Sequence, residues 1–186
     1  MACNILVDSC SYFRLAHSIH PLLHVEFGEE KYKLGVIQEL QQEYKKNPTL
    51  QNKFYWVNDP EYAENRKKCF SLTQEQKSDI NNTFFFMRDT AREEELGVSK
   101  VDLTALSYVY VLKIPIVTDD SDMIALAKEY DIVVYKSLEL LHLMYKAGHI
   151  KKRKVREIAS YWVYLNDTPK SYKKDYEQLF NEPPPL

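Results

Sequence analysis

The chain has 186 residues, 25 Lys+Arg against 27 Asp+Glu, and a formal net charge of −2. That length suits one domain of ordinary size with roughly 70% of the unfolded surface buried, and 45% hydrophobic with 28% charged residues excludes disordered and fibrous classes. A mean hydropathy of −0.46 and a pI near 6.2 exclude a uniformly basic nucleic-acid coat, and no apolar run approaches the ~20 residues of a membrane span.

Met1-Ala2-Cys3-Asn4 has no basic region and no small-residue cleavage site, which predicts a cytoplasmic protein. Asn4-Ile5-Leu6-Val7 reads as a short strand that ends at Asp8. Ser9 then opens an amphipathic helix through Tyr12 to Ala16, ended by Pro21. From Glu29 to Lys46, Leu34, Ile37, Leu40 and Tyr44 stand at helical spacing and predict a helix. The stretch from Asn47 to Ser71 is aromatic and polar, with weak periodicity. Thr73 to Leu96 predicts a long charged helix with Phe84-Phe85-Phe86 in its middle and Gly97 as its stop.

The second half is more legible. Ser99 can cap a helix through Val101, Ala105, Leu106 and Val109 that ends before Pro115. Ile114 to Thr118 reads as a strand, followed by the acidic turn Asp119-Asp120-Ser121-Asp122 and a helix from Met123 to Tyr130. Ile132 to Tyr135 is a second strand of this part, and Ser137 caps a helix over Leu138 to Lys146. A last helix, Lys154 to Leu165, precedes a polar tail ending in Pro183-Pro184-Pro185. Continuous β-branched runs alternating with helices predict an α/β fold with a central parallel sheet.

The four glycines are far apart and allow neither GxGxxG nor GxxxxGK[ST]. Cys3, Cys10 and Cys69 are odd in number and form no CxxC. His17, His20 and His24 have helix-like spacing, but Pro21 breaks their register, which favours surface or partly buried histidines over a metal site. Tyr55-Trp56 and Tyr161-Trp162 favour core packing over base stacking. For Cys10 a buried small side chain is the better reading than a nucleophile, since no histidine has a clear partnering position.

The acids carry the chemistry. In an open parallel sheet the functional crevice lies beyond the carboxyl ends of the strands. Asp8 follows the first strand, and Asp119, Asp120 and Asp122 follow the strand ending at Thr118. Asp102 lies near the start of the helix that leads into that strand, and Glu39 has apolar neighbours in Val36-Ile37-Gln38-Glu39-Leu40. Crowded carboxylates need protons or a cation, and all-oxygen ligation suits Mg²⁺ or Mn²⁺. Each acid also has a local reading. Asp8 can cap a helix, Ser99-x-x-Asp102 forms a capping box, the Asp119–Asp122 turn caps the next helix, and Glu39 can be a solvated helical Glu.

Four pieces together resemble a PIN-domain nuclease, close in pattern to the toxin ribonucleases of bacterial toxin–antitoxin pairs. They are Val7-Asp8-Ser9, Val36-x-x-Glu39-Leu40, Asp102-x-x-Ala105-Leu106, and Val117-Thr118-Asp119-Asp120-Ser121-Asp122-Met123. The last resembles the family's Thr-x-Asp-x-Asp signature. The resemblance implies a three-layer α/β/α fold, with extra helices here, and Mg²⁺- or Mn²⁺-dependent cleavage of RNA phosphodiesters. By position, Asp8, Asp102 and Asp120 would be metal ligands, Glu39 would orient water, and Asp122 would support the site or a second metal. Ser9 and Thr118 would hold the ligand carboxylates by hydrogen bonding. It also implies a PIN-like domain over 1–150 with a helical insertion at 47–95, followed by a helical extension and tail at 151–186. A toxin-like role brings an antitoxin or another regulatory protein as partner, and the family suggests a homodimer.

Lys151-Lys152-Arg153-Lys154, with Arg156, is the densest basic run, open to a solvated helix start or to RNA backbone. Arg14, Arg88 and Lys100 are further phosphate contacts to weigh. A haloacid dehalogenase-type phosphatase needs an acid two residues after the strand-end Asp, where Cys10 stands. The alternative to a nuclease is a catalytically degenerate fold of the same type that binds RNA or protein.

Overall fold

A computed structural model describes residues 3–68 and 70–185. Cys69 and the terminal Met1 and Ala2 of the leader reading lie outside the described residues. The sheet follows from one apolar strand that can be buried on both faces. In β1 (Cys3–Val7), Ile5, Leu6 and Val7 are all essentially inaccessible. Ile5 and Val7 point into one core cluster and Leu6 into another, the period-2 alternation of a strand. Helices on both faces make three layers.

Five strands take the order β2-β3-β1-β4-β5, where β2 is Glu26–Phe27, β3 is Tyr32–Gly35, β4 is Ile116–Val117 and β5 is Val134–Tyr135. β3, β1, β4 and β5 are mutually parallel, and β2 joins the β3 edge antiparallel. The sheet is therefore mainly rather than wholly parallel. A tight turn joins β2 to β3, with Gly28 at φ +71° and the Lys31 N–H bonded to the Gly28 carbonyl at 3.1 Å.

On the first face lie α1 (Ser9–Leu15), α2 (Glu39–Lys46), α8 (Ser137–Lys146), α9 (Lys152–Tyr164) and α10 (Tyr172–Phe180). On the second lie α5 (Gln74–Glu93), α6 (Lys100–Leu112) and α7 (Ser121–Glu129). α3 (Pro48–Lys53), a 3-10 turn (Tyr55–Asn58) and α4 (Pro60–Arg66) fill the segment with weak periodicity. Trp56, Val57 and Tyr62 bring that segment into the first core.

Three expectations are corrected. The predicted helix from Glu29 to Lys46 forms only from Glu39, because residues 32–35 pair with the free edge of β1, Cys3 beside Tyr32 through Leu6 beside Gly35. A short apolar run satisfies helical and buried-strand patterns alike, and the unpaired backbone edge decides it. Gly35 also lies against Phe70, whose ring would sit 2.7 Å from an added Cβ. Second, α5 ends at Glu93 with Glu95 in the left-handed region, φ +54°, rather than at Gly97. Third, the polar tail contains α10, whose Tyr172, Tyr176 and Phe180 join the first core with Val155, Ile158 and Trp162 of α9. Beyond it, Glu182 pairs with Lys152 and Arg156, each at 3.0 Å. Pro185 accepts a hydrogen bond from the Tyr172 hydroxyl at 3.3 Å, so the proline end is docked.

Both predicted tryptophan pairs place their indoles in the core, Trp56 and Trp162 being buried. His17 and His20 stack around Tyr62 and Trp56. Cys3 and Cys10 carry free thiols. No described helix is long and apolar enough to cross a membrane.

Candidate active site

β1 and β4 lie side by side in register, Leu6 beside Ile116 and Val7 beside Val117. Asp8 and Thr118 therefore leave the sheet together at the carboxyl ends of adjacent strands. β3 flanks β1 on one side and β4 on the other, and such a reversal of strand order opens a crevice at that edge.

Asp8 is 3% exposed. It caps α1, accepting the Ser11 N–H at 2.6 Å, and also hydrogen-bonds the hydroxyls of Thr118 and Ser11. Burial still pushes its carboxyl up to about 6, and Asp119 adds repulsion. Thr118 thus holds Asp8, and its Oγ1 also accepts the Asp120 N–H at 3.2 Å. Asp120 is exposed and caps α7, accepting the N–H groups of Asp122 and Met123 at 2.9 and 2.8 Å. Asp102 and Ser99 form a reciprocal capping box at 3.2 Å each way. Burial raises the Asp102 carboxyl, against two Ser99 hydrogen bonds, and the Asp120 charge raises it further.

Asp122 points elsewhere, accepting the Gly97 N–H at 2.8 Å and tying the start of α7 to the loop before α6. Glu39 opens α2, with Oε2 buried and without a hydrogen-bond partner. One turn later on the same helix stands Glu43, which the sequence reading passed over. Its Oε2 is also buried and unpartnered. Burial raises its carboxyl, the Ser9 hydroxyl opposes this by hydrogen bonding, and the Asp102 charge adds to it. Ser9 therefore holds Glu43 rather than one of the predicted ligands. The legible signal was the i, i+4 spacing, which sets both glutamates on one helix face.

Cys10 is exposed at this cluster. Its thiol is pushed up to about 12, by desolvation first and then by Asp8, Glu43 and Asp102. A thiol held protonated is no nucleophile at neutral pH.

Asp102 lies within electrostatic reach of Glu43 and of Asp120, and burial first raises the carboxyls of Asp8, Glu43 and Asp102, with repulsion from neighbouring acids adding to it. Hard oxygen donors, with a buried unpartnered Oε2 on Glu43 and another on nearby Glu39, fit Mg²⁺ or Mn²⁺ in kind. Among the described residues, no three His, Cys, Asp or Glu side chains stand close enough to grip one ion. Asp102 and Asp120 are turned to their capping bonds.

Most of the cations weighed in the sequence carry ion pairs. Lys152 pairs with Glu182, while Arg153 and Lys154 pair with Glu157 at 3.2 and 3.8 Å. Lys151 is exposed at the N-cap of α9. Arg14 is bound to Asp119 and to the Asp167 carbonyl, the latter at 3.1 Å. Arg88 and Lys100, with Lys77, line a cavity on the flank of α5 and α6 that Glu39 also lines.

No family model matches the chain, and no curated protein matches it. Its backbone is similar to the crystal structure of FitAcB from Neisseria gonorrhoeae. The identity is 10% and the TM-score 0.48, over 72% of this chain and 98% of that one.

Proposed function

We propose that the chain is a divalent-metal-dependent endoribonuclease of PIN-like type. One observation carries the reading: the in-register pairing of β1 with β4, which sets buried Asp8 beside the Asp119–Asp120 turn with Asp102 and Glu43 in electrostatic reach. Asp8, Asp102 and Asp120 would hold the ion once Asp102 and Asp120 turn from their capping bonds, with Glu43 as a further ligand. Bound Mg²⁺ or Mn²⁺ supplies Lewis acidity and an activated water. Glu39 would orient that water through its unpartnered Oε2, Thr118 would fix the Asp8 carboxylate, and Asp122 would hold the loop before Asp102 in place. A toxin-like or RNA-processing role, a regulatory protein partner and a homodimer rest on the motif resemblance.

The second reading, a catalytically silent RNA- or protein-binding module, draws on the capping bonds that occupy Asp102 and Asp120. Purified protein incubated with RNA and Mn²⁺ separates the two. Cleavage that Asp8→Asn and Asp120→Asn abolish, in variants that melt cooperatively, supports the nuclease. Undiminished cleavage by both variants overturns it, and no cleavage together with no calorimetric Mn²⁺ binding favours the silent module.

A further inference from the structure

Next to the acids, between α5 and α6, lies a cavity of about 620 Å³, within the usual range of small-ligand pockets of roughly 300–1,000 Å³. Glu39, one turn before Glu43 on α2, lines it, and Leu103, another lining residue, directly follows Asp102. Its aromatic surface comes from Phe84, Phe85 and Tyr108. Phe85 is 45% exposed, although it stands in an apolar Phe-Phe-Phe run.

Lys77, Arg88 and Lys100 surround those rings, and Glu39 is the only acid among the described lining residues. In a chain of net charge −2, three cations around one carboxylate are a local reversal of sign. Arg88 lies over the Phe85 ring at 4.9 Å and pairs with Asp89 at 2.8 Å. Among the described residues Lys77 and Lys100 form no ion pair. A surface with flat apolar rings and uncompensated ammonium groups fits a ligand with flat rings and negative charge. Stacking gives sequence-tolerant affinity, and the lysines meet the backbone.

We propose that this cavity is a base-binding subsite, built by Phe85, Lys77 and Lys100, that receives one unpaired nucleotide of an RNA strand, a role that rests on the nuclease reading of the nearby acids. The base stacks on Phe85 and its neighbours, while Lys77 and Lys100 contact the flanking phosphates. A duplex cannot bind this way, because its bases are stacked and paired inside the helix.

The test is fluorescence anisotropy in EDTA with the full chain and a labelled single-stranded RNA of about ten nucleotides, a length typical of single-strand sites. Wild type should prefer this RNA to a duplex of the same sequence. Phe85→Ala should bind roughly tenfold more weakly, and Phe85→Trp should restore affinity. Lys77→Ala with Lys100→Ala should make the slope of log affinity against log salt shallower by about 0.7 per lysine. All three side chains are exposed, and thermal melts check that the variants fold. Equal affinity for duplex, unchanged affinity in the variants, no RNA binding, or tighter binding of an acidic peptide each overturns the proposal. Cleavage assays keep the two readings apart. If wild type cleaves RNA and Phe85→Ala binds it as well as wild type, the pocket fails and the nuclease stands. If wild type binds through Phe85 and cleaves nothing, the pocket stands and the nuclease fails.

Discussion

Arg14 and Asp119 form an ion pair between α1 and the loop after β4, with side chains only 11% and 9% exposed. Asp119 also accepts the Ser137 N–H at 3.2 Å, and Trp162 donates its indole N–H to the Arg14 carbonyl at 3.0 Å. Of two adjacent acids in the Asp119-Asp120 turn, one is thereby committed to the fold and the other faces solvent. Removing one partner of a nearly buried pair strands the other charge, at a cost of about 3 kcal/mol or more. Arg14→Ala should lose that much in urea unfolding, and Arg14→Met with Asp119→Asn should recover most of it. A loss below about 1 kcal/mol would mark the pair as no better than a surface one.

Asp8 should make stability fall as pH rises. Its carboxyl titrates at 3.8 unfolded and about 6 folded, so the folded protein holds this proton more tightly than the unfolded chain. The contribution is complete below pH 3.8, is lost as pH climbs towards 6, and is level above that. Asn keeps the capping oxygen without the charge. In EDTA, Asp8→Asn should therefore match wild type near pH 4 and exceed it by about 1–3 kcal/mol at pH 8. Thermal melts across pH measure this. Mn²⁺ should raise the wild-type melting temperature above pH 6 and leave the variant unchanged.

Glu43 tests whether the unpredicted acid belongs to the site. Glu43→Gln preserves its size and its hydrogen-bonding to Ser9 while removing charge. It should weaken calorimetric Mn²⁺ binding at least tenfold, about 1.4 kcal/mol, with cleavage falling in step. The exposed Glu129→Gln on α7 should change neither.

The C-terminal helix should be indispensable to stability. Tyr176 is fully buried and its hydroxyl donates to Glu182 at 3.0 Å. Tyr176→Ala should cost about 3–5 kcal/mol, as for other large aromatic truncations. Tyr164, 83% exposed on α9, should tolerate Ala within about 0.5 kcal/mol. Chemical denaturation of the two variants gives the comparison.

Local chemistry was legible wherever neighbours in sequence complete an interaction. The Asp8, Ser99–Asp102 and Asp120 caps all form where residues two or three positions away supply the N–H groups. Strands β1, β4 and β5 stand out because β-branched runs are bounded by turn residues. Residues 32–35 misled because Leu34, Ile37 and Leu40 satisfy a helical period, while the hydrogen bonds that make them a strand come from Cys3 to Leu6, far away in sequence. α10 went unseen for a similar reason: Tyr172, Tyr176 and Phe180 have meaning only against a core supplied by α8 and α9.

The sequence by itself therefore determined that Asp8, Asp102 and Asp120 end strands or open helices, since those positions depend on turn and capping residues a few places away. Only the tertiary structure decided which acids come within one another's field. The pairing of Val7 with Val117 brings Asp8 to the Asp119–Asp120 turn, Arg14 withdraws Asp119, Gly97 withdraws Asp122, and Glu43 enters beside Ser9. The opening balance of 27 acids to 25 bases is silent on this. Charges act over a few ångströms, and chain folding sets those distances.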